Sequence, residues 1–274
     1  MSRITGAVRV GGVVGQPVNH SLSPVIHNAW LEAGGIDGAY VAFAPKDADG
    51  FAALVAAGRA GLIAGVNVTA PFKEQAFASA DKVSKAAKLV SSANILAFHD
   101  GQVLADSSDG AGVLYALAEQ APALSLNSAH VVMLGAGGAS RAAAGVLLQG
   151  GARLSILNRT RQRAADLAAD LGAGVSVAED EGVLETADLV INALSVPPQI
   201  DLSRLKIQAV VMDMTYRPLV TPFLQAARDR GLTIVDGLAM LIGQAGAGFE
   251  AIYGQKPPVM DMRSVLMAHL GEAQ

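Results

Sequence analysis

The segment His130-Val-Val-Met-Leu-Gly-Ala-Gly-Gly-Ala-Ser-Arg141 runs from an apolar stretch straight into Gly135-x-Gly137-Gly138 and then into alanine-rich sequence. An apolar strand, a glycine turn and a helix in that order make the site where a dinucleotide pyrophosphate sits. Glycines let the backbone approach, and free amides at the helix N-terminus bind the phosphates. Ser140 stands where a third glycine would complete the pattern. Downstream, Leu154–Leu157 reads as the next strand and Arg161–Leu171 as its helix. In NAD-preferring sites an acid about 20 residues on holds the ribose hydroxyls. Here that strand ends in Asn158-Arg-Thr-Arg-Gln-Arg163, with three arginines and no acid. Cations in a helix's first turn oppose its dipole, whereas guanidinium forks suit a 2′-phosphate. The cofactor reading is therefore NADP.

Working outward, β-branched runs alternate with helical stretches along the whole chain, the pattern of an α/β fold. Strands are expected at Val8–Val14, Tyr40–Phe43, Gly65–Thr69, Asn94–Phe98 and Gln102–Leu104, the last two around the Asp100-Gly101 turn. Helices are expected at Pro24–Ala33, Ala48–Ala57 and from Pro71. Further strands follow at Leu189–Asn192, Val210–Met212 and Thr233–Val235. At 274 residues the chain suits about two domains. The boundary falls near Asp109–Leu126, giving residues 1–110 and a doubly wound domain over 111–242, with 243–274 left after it. With 51% hydrophobic and 16% charged residues the chain is not disordered. A net charge of −4 argues against nucleic acid. There is no cysteine, no signal-like apolar run and no metal-ligand spacing among the five histidines. The expectation is a cytoplasmic protein, monomer or homodimer, with no membrane partner and no metal.

Two polar motifs occupy the first half: Gly15-Gln-Pro-Val-Asn-His-Ser-Leu-Ser-Pro-Val-Ile-His-Asn28 and Gly65-Val-Asn-Val-Thr-Ala-Pro-Phe-Lys73. With the glycine turn, Asp213-Met-Thr-Tyr-Arg-Pro-Leu-Val-Thr221 and Asp236-Gly-Leu-Ala-Met-Leu-Ile-Gly-Gln-Ala245, they make a chain that resembles the shikimate dehydrogenase family over nearly its full length. The resemblance implies reversible NADP-linked reduction of 3-dehydroshikimate to shikimate in a cleft between an N-terminal α/β substrate domain and a Rossmann-like domain, with helices over 243–274 returning to the first domain. It implies that Ser21 and Ser23 hold the substrate carboxylate, that Thr69, Asn94 and Gln244 bind ring hydroxyls, and that Tyr216 closes the carboxylate end. Lys73 is the implied acid–base residue, with Asp109 as its partner. Gly135, Ala136, Gly137, Gly138, Ala139, Asn158, Arg159, Thr160 and Arg163 would hold phosphates and ribose, with Met214 and Gly237 near the nicotinamide. These types suit the chemistry, because hydride arriving at a ketone carbon leaves charge on oxygen that needs a proton donor or a cation.

Local structure offers other roles for some of them. Ser23 before Pro24 fits an N-cap followed by proline at N1, and Asp109 also precedes a helix. The chain departs from the usual family pattern near the substrate. Ala105-Asp106-Ser107-Ser108-Asp109 replaces Gly-x-Asn-Thr-Asp, Ser91-Ser92-Ala93-Asn94-Ile95 replaces Gly-Ala-Val-Asn-Thr, and Pro197-Pro198 after Asn192-Ala-Leu-Ser195 replaces Gly-Met. Quinate or an amino analogue of shikimate therefore stays open as substrate, as does a non-catalytic NADP-binding sensor.

Overall fold

The computed structural model describes residues 4–194 and 196–271, so Ser195, within one of the departures above, lies outside the described residues. The chain divides into two compact units, Met1–Ser108 with Gln244–Gln274, and Asp109–Gly243. Both are α/β, as the alternating pattern requires.

In the first unit six strands lie in the order β2 (Gly38–Phe43), β1 (Arg9–Val14), β3 (Gly65–Val68), β5 (Ile95–His99), β6 (Gln102–Asp106), β4 (Lys82–Val83). The sheet is mixed: β1 runs parallel to β2 and β3, whereas β5 is antiparallel to β3 and to β6. This topology decides where the polar motifs go. The C-terminal ends of β1, β3 and β6 and the N-terminal end of β5 all fall on one edge of the sheet. Its core is built from Val14, Val66 and Val68 packed with Phe51, Phe72, Leu96 and Val103. The two-residue strand β4 and the short helix Lys85–Val90 carry too little periodicity to be read from sequence.

Helix α1 (Ser23–Ala33) corrects one local expectation. Leu22 is the N-cap, Ser23 is the first helical residue, and no side chain caps the helix. Ser23 is thus not occupied by capping. Pro71 likewise does not open its helix, since α3 spans Lys73–Ala78.

The second unit carries a parallel sheet in the order β12 (Thr233–Val235), β11 (Val210–Asp213), β10 (Leu189–Asn192), β7 (His130–Leu134), β8 (Arg153–Leu157), β9 (Val175–Val177). Strands covered on both faces must be apolar on both. In β7, Val131 and Met133 enter the core under α6 (Gly138–Gln149) and α7 (Arg161–Leu171), while Val132 and Leu134 pack on the opposite face against Leu184, Phe223 and Leu224. The order reverses direction between β7 and β10. Open α/β sheets bind ligands beyond the strand C-termini at such a switch. Helix α9 (Gly237–Tyr253) runs through the division of the chain, with Gln244 onward counted in the first unit. Among the described residues, no helix is long and apolar enough to cross a membrane.

Candidate active site

The glycine turn follows β7 at the switch point. Gly135 has φ +110°, a conformation that L side chains rarely adopt. A Cβ there would also lie 3.0 Å from Leu194 Cδ2. Gly137 and Gly138 are different, because a Cβ at either would meet nothing within 4 Å. The fold itself gives no steric reason for those glycines, and the space they leave lies at the α6 N-terminus. A pyrophosphate laid against the backbone fits that cradle. The two kinds of glycine separate in experiment. Gly135→Ala should destabilise the ligand-free protein by about 1–3 kcal/mol in a urea melt. Gly137→Ala should leave that melt unchanged and weaken dinucleotide binding by about ten-fold.

Beyond β8, Asn158 Nδ2 donates to the Thr160 carbonyl at 2.8 Å and shapes the turn into α7. That helix has no acid in its first turn and no side-chain cap. Arg161 pairs with Glu179 at 2.9 Å. Arg159 and Arg163 are exposed and have no ion-pair partner among the described residues. The two arginines assigned to the cofactor are therefore those left available for an anion. Beside them a cavity of ≈ 390 Å³ is walled by Leu134, Leu157, Leu194 and Pro198 and edged by Asn158 and Arg159. Asp180 and Glu181 line it as well, so an apolar slot edged by carboxylates and one arginine offers acceptors for an adenosine and a guanidinium for a phosphate.

The loop after β11 holds Met214 and Tyr216, both half-buried. Burial pushes the Tyr216 phenol up, against the opposing charge of Arg217, so at neutral pH it remains a donor. Gly237 is tight against this loop: a Cβ there would lie 2.5 Å from the Met214 carbonyl oxygen. Asp236 fixes the start of α9, accepting from Ala239 N at 3.0 Å, while its own amide donates to Gln120 Oε1 at 2.9 Å. Asp109 is the first residue of α5 (Asp109–Gln120).

In the first unit, the sheet edge brings Ser21, Ser23, Thr69, Lys73, Asn94 and Gln244 onto neighbouring segments. Gly15 and Thr69 interlock, because a Cβ on Gly15 would run into the Thr69 side chain. Thr69 N donates to Val14 O at 2.9 Å, and Gln16 N to Ala70 O at 3.0 Å. Phe72 stacks on Phe51 with centroids 5.0 Å apart and anchors the turn that presents Lys73. The Lys73 carbonyl receives Ala93 N at 3.0 Å, which ties this turn to the residue before Asn94. Ser21 Oγ accepts the Ser23 amide at 3.2 Å, leaving its proton to donate elsewhere.

A buried chain of side-chain hydrogen bonds joins these groups. Tyr40 shares a hydrogen bond with Ser23 and donates to Asn67 Oδ1 at 2.8 Å. Asn67 Nδ2 reaches the Asn94 carbonyl at 3.4 Å. Asn94 Nδ2 donates to Ser108 Oγ at 3.0 Å and to Gln244 Oε1 at 3.2 Å, and Ser108 Oγ donates to the Gln244 carbonyl at 2.9 Å. Ser108, one of the departures from the family pattern, thus still supplies a hydroxyl that ties Asn94 to Gln244. The sequence reading did not assign Tyr40 or Ser108. Their partners lie far along the chain, and no local spacing marks them.

Residues 13–96 match the family model of the shikimate dehydrogenase substrate binding domain, and residues 116–220 match that of shikimate / quinate 5-dehydrogenase. The chain belongs to the shikimate dehydrogenase family. It is 50% identical to a shikimate dehydrogenase (NADP(+)) of Caulobacter vibrioides over 98% of both chains. The fold matches the shikimate 5-dehydrogenase of Thermus thermophilus solved with NADP(H) and shikimate, with TM-score 0.85 and 32% identity over 96% of this chain and 99% of that one. It also matches a quinate dehydrogenase of Corynebacterium glutamicum solved with NAD, with TM-score 0.87 and 27% identity over 95% and 99%. The family's substrate domain falls within the first unit and its dehydrogenase domain within the second.

Proposed function

We propose that this protein interconverts 3-dehydroshikimate and shikimate with NADP, in the synthesis of aromatic amino acids by way of chorismate, in the cytoplasm. The observation that carries the reading is the gathering of Ser21, Ser23, Thr69, Lys73, Asn94 and Gln244 at one sheet edge. Hydroxyls, amides and one ammonium on neighbouring segments suit a small acid bearing several hydroxyls.

In this reading Ser21 and Ser23 donate to the substrate carboxylate, and the Tyr216 phenol closes over that end. Thr69, Asn94 and Gln244 fix the ring hydroxyls and so present one face of the ring. The reduced nicotinamide, when bound, supplies the hydride. As the ketone carbon accepts it, charge builds on oxygen, and Lys73 gives that oxygen its proton. Asp109 would be the partner of Lys73, a carboxylate that orients its ammonium. Gly135 to Ala139 hold the pyrophosphate, Asn158 and Thr160 the ribose, and Arg159 and Arg163 the 2′-phosphate. Met214 and Gly237 face the nicotinamide.

The test offers shikimate and quinate, each with NADP and with NAD, and follows the reduced-nicotinamide absorbance. Turnover with shikimate and NADP is expected. Preference for quinate or NAD would overturn the specificity, and silence in all four pairings would overturn the dehydrogenase reading. Arg159→Ala and Arg163→Ala should each raise KM for NADP by about 10–100-fold, the worth of a charged hydrogen bond, and leave KM for NAD unchanged.

A further inference from the structure

We propose that the buried couple Asn192–Asp213 is a positioning element that holds the Met214–Tyr216 loop in its working conformation, an inference that rests on the dehydrogenase reading. The two residues face each other across β10 and β11 in register, at the strand C-termini. They are 1% and 2% exposed. A carboxylate so buried requires donors, and those it has come from the end of the neighbouring strand and from the two ends of the loop that follows. Asp213 Oδ1 accepts from Asn192 Nδ2 at 3.0 Å and from Thr215 N at 3.0 Å. Asp213 Oδ2 accepts from Thr221 Oγ1 at 2.7 Å. The segment Tyr216–Val220 is therefore closed at both ends on the two oxygens of one carboxylate.

Asn192 does the same for the neighbouring loop. Its Oδ1 accepts Leu194 N at 3.1 Å, and its carbonyl accepts Met214 N at 3.0 Å. Leu194 walls the adenosine-sized cavity, so one couple sets both that wall and the loop carrying Met214 and Tyr216. Thr221 in turn accepts Leu224 N at 3.2 Å and caps helix α8 (Pro222–Asp229). The strands have their own backbone ladder and do not depend on these bonds. Losing the carboxylate releases a loop and leaves the sheet paired.

The experiment compares Asp213→Asn, Thr221→Val and Thr221→Ser. Asparagine at 213 keeps the shape but offers one acceptor oxygen where three donors converge. Valine at 221 removes the hydroxyl, and serine keeps it. In ligand-free Asp213→Asn, amide exchange over 214–220 should quicken about 100-fold while β10 and β11 keep their protection. With substrates, kcat should fall about 100-fold or more, while NADPH affinity, read by its own fluorescence, changes less than three-fold, because the phosphates are held elsewhere. Thr221→Val should show the same split in milder form, and Thr221→Ser should restore wild-type kcat within about two-fold. Exchange quickening evenly through the whole unit, or a folded Asp213→Asn with wild-type kcat, would overturn the proposal. Should Asp213→Asn fail to fold, equal kcat in Thr221→Val and Thr221→Ser would overturn it equally well. A wild-type protein silent with shikimate and NADP would remove the dehydrogenase reading itself, and this inference with it.

Discussion

Lys73→Met should lower kcat for shikimate oxidation by about 10³-fold while KM for NADP stays within about two-fold. A positioned acid–base group contributes typically 10²–10⁴-fold, and in the proposed role the ammonium would also stabilise the charge that develops on the carbonyl oxygen. Methionine keeps most of the length and the apolar stem and removes the charge and the proton. The backbone role of residue 73 survives the change, since its carbonyl still receives Ala93 N. The anchoring stack of Phe72 on Phe51 is also untouched, so a loss of rate would not reflect a loss of the turn. Rate constants at saturating shikimate and NADP check this. A variant with kcat within ten-fold of wild type would show that Lys73 is a binding residue and that the proton comes from another group. A protein that binds NADP and shikimate with unchanged affinity and turns neither over, even as wild type, would instead be a sensor.

Much of this site was legible because its signals are local. The strand, the glycine turn and the start of the helix lie within twelve consecutive residues, and the arginine run sits at the end of the next strand. Strands β8 and β10 end where their apolar runs end, since Asn158-Arg and Asn192-Ala break those runs. The pairing that matters in the first unit is not local. Tyr40 reads as an ordinary core aromatic of a strand, yet its hydroxyl meets Asn67, 27 positions on. Ser108 meets Gln244 across 136 positions. Only the sheet order, with β5 antiparallel between β3 and β6, brings those segments to one edge, and no spacing in the sequence encodes an order of strands.

Asp213 shows a second limit. In sequence it is a lone acid after an apolar run, and such an acid is normally a solvated strand end. Burial by the loops on either side converts it into a hub. Ser23 is the reverse case, where Ser-Pro matched an N-cap pattern and the helix began one residue earlier. Capping rules describe a side chain that has nothing else to do, and here Ser23 shares its hydrogen bond with Tyr40.

His27→Phe should remove much of the protein's sensitivity to mild acid. His27 is fully buried on α1, stacked on Tyr40 with centroids 3.9 Å apart and edge-on to Trp30 at 5.6 Å. Among the described residues neither ring nitrogen has a hydrogen-bond partner. Burial alone pushes its pKa down from 6.5 to about 3. The unfolded chain therefore binds a proton below pH 6.5 that the folded chain refuses until near pH 3, and stability falls as pH drops through that window. At about 1.4 kcal/mol per pH unit, roughly 3 kcal/mol should be lost between about pH 6.5 and about pH 4.5. Phenylalanine keeps the stack and has nothing to protonate. It also removes two orphaned polar atoms, worth about 1–3 kcal/mol each when buried, against about 1–3 kcal/mol for fitting a larger ring. Those opposing packing terms do not vary with pH, so the difference in slope isolates the imidazole. Urea melts from about pH 7.5 to about pH 4.5 read it out. Wild type should lose stability steeply, and the variant should lose only the part due to its carboxylates. Parallel slopes would mean that the folded protein takes up the proton as readily as the unfolded chain, and that water reaches His27.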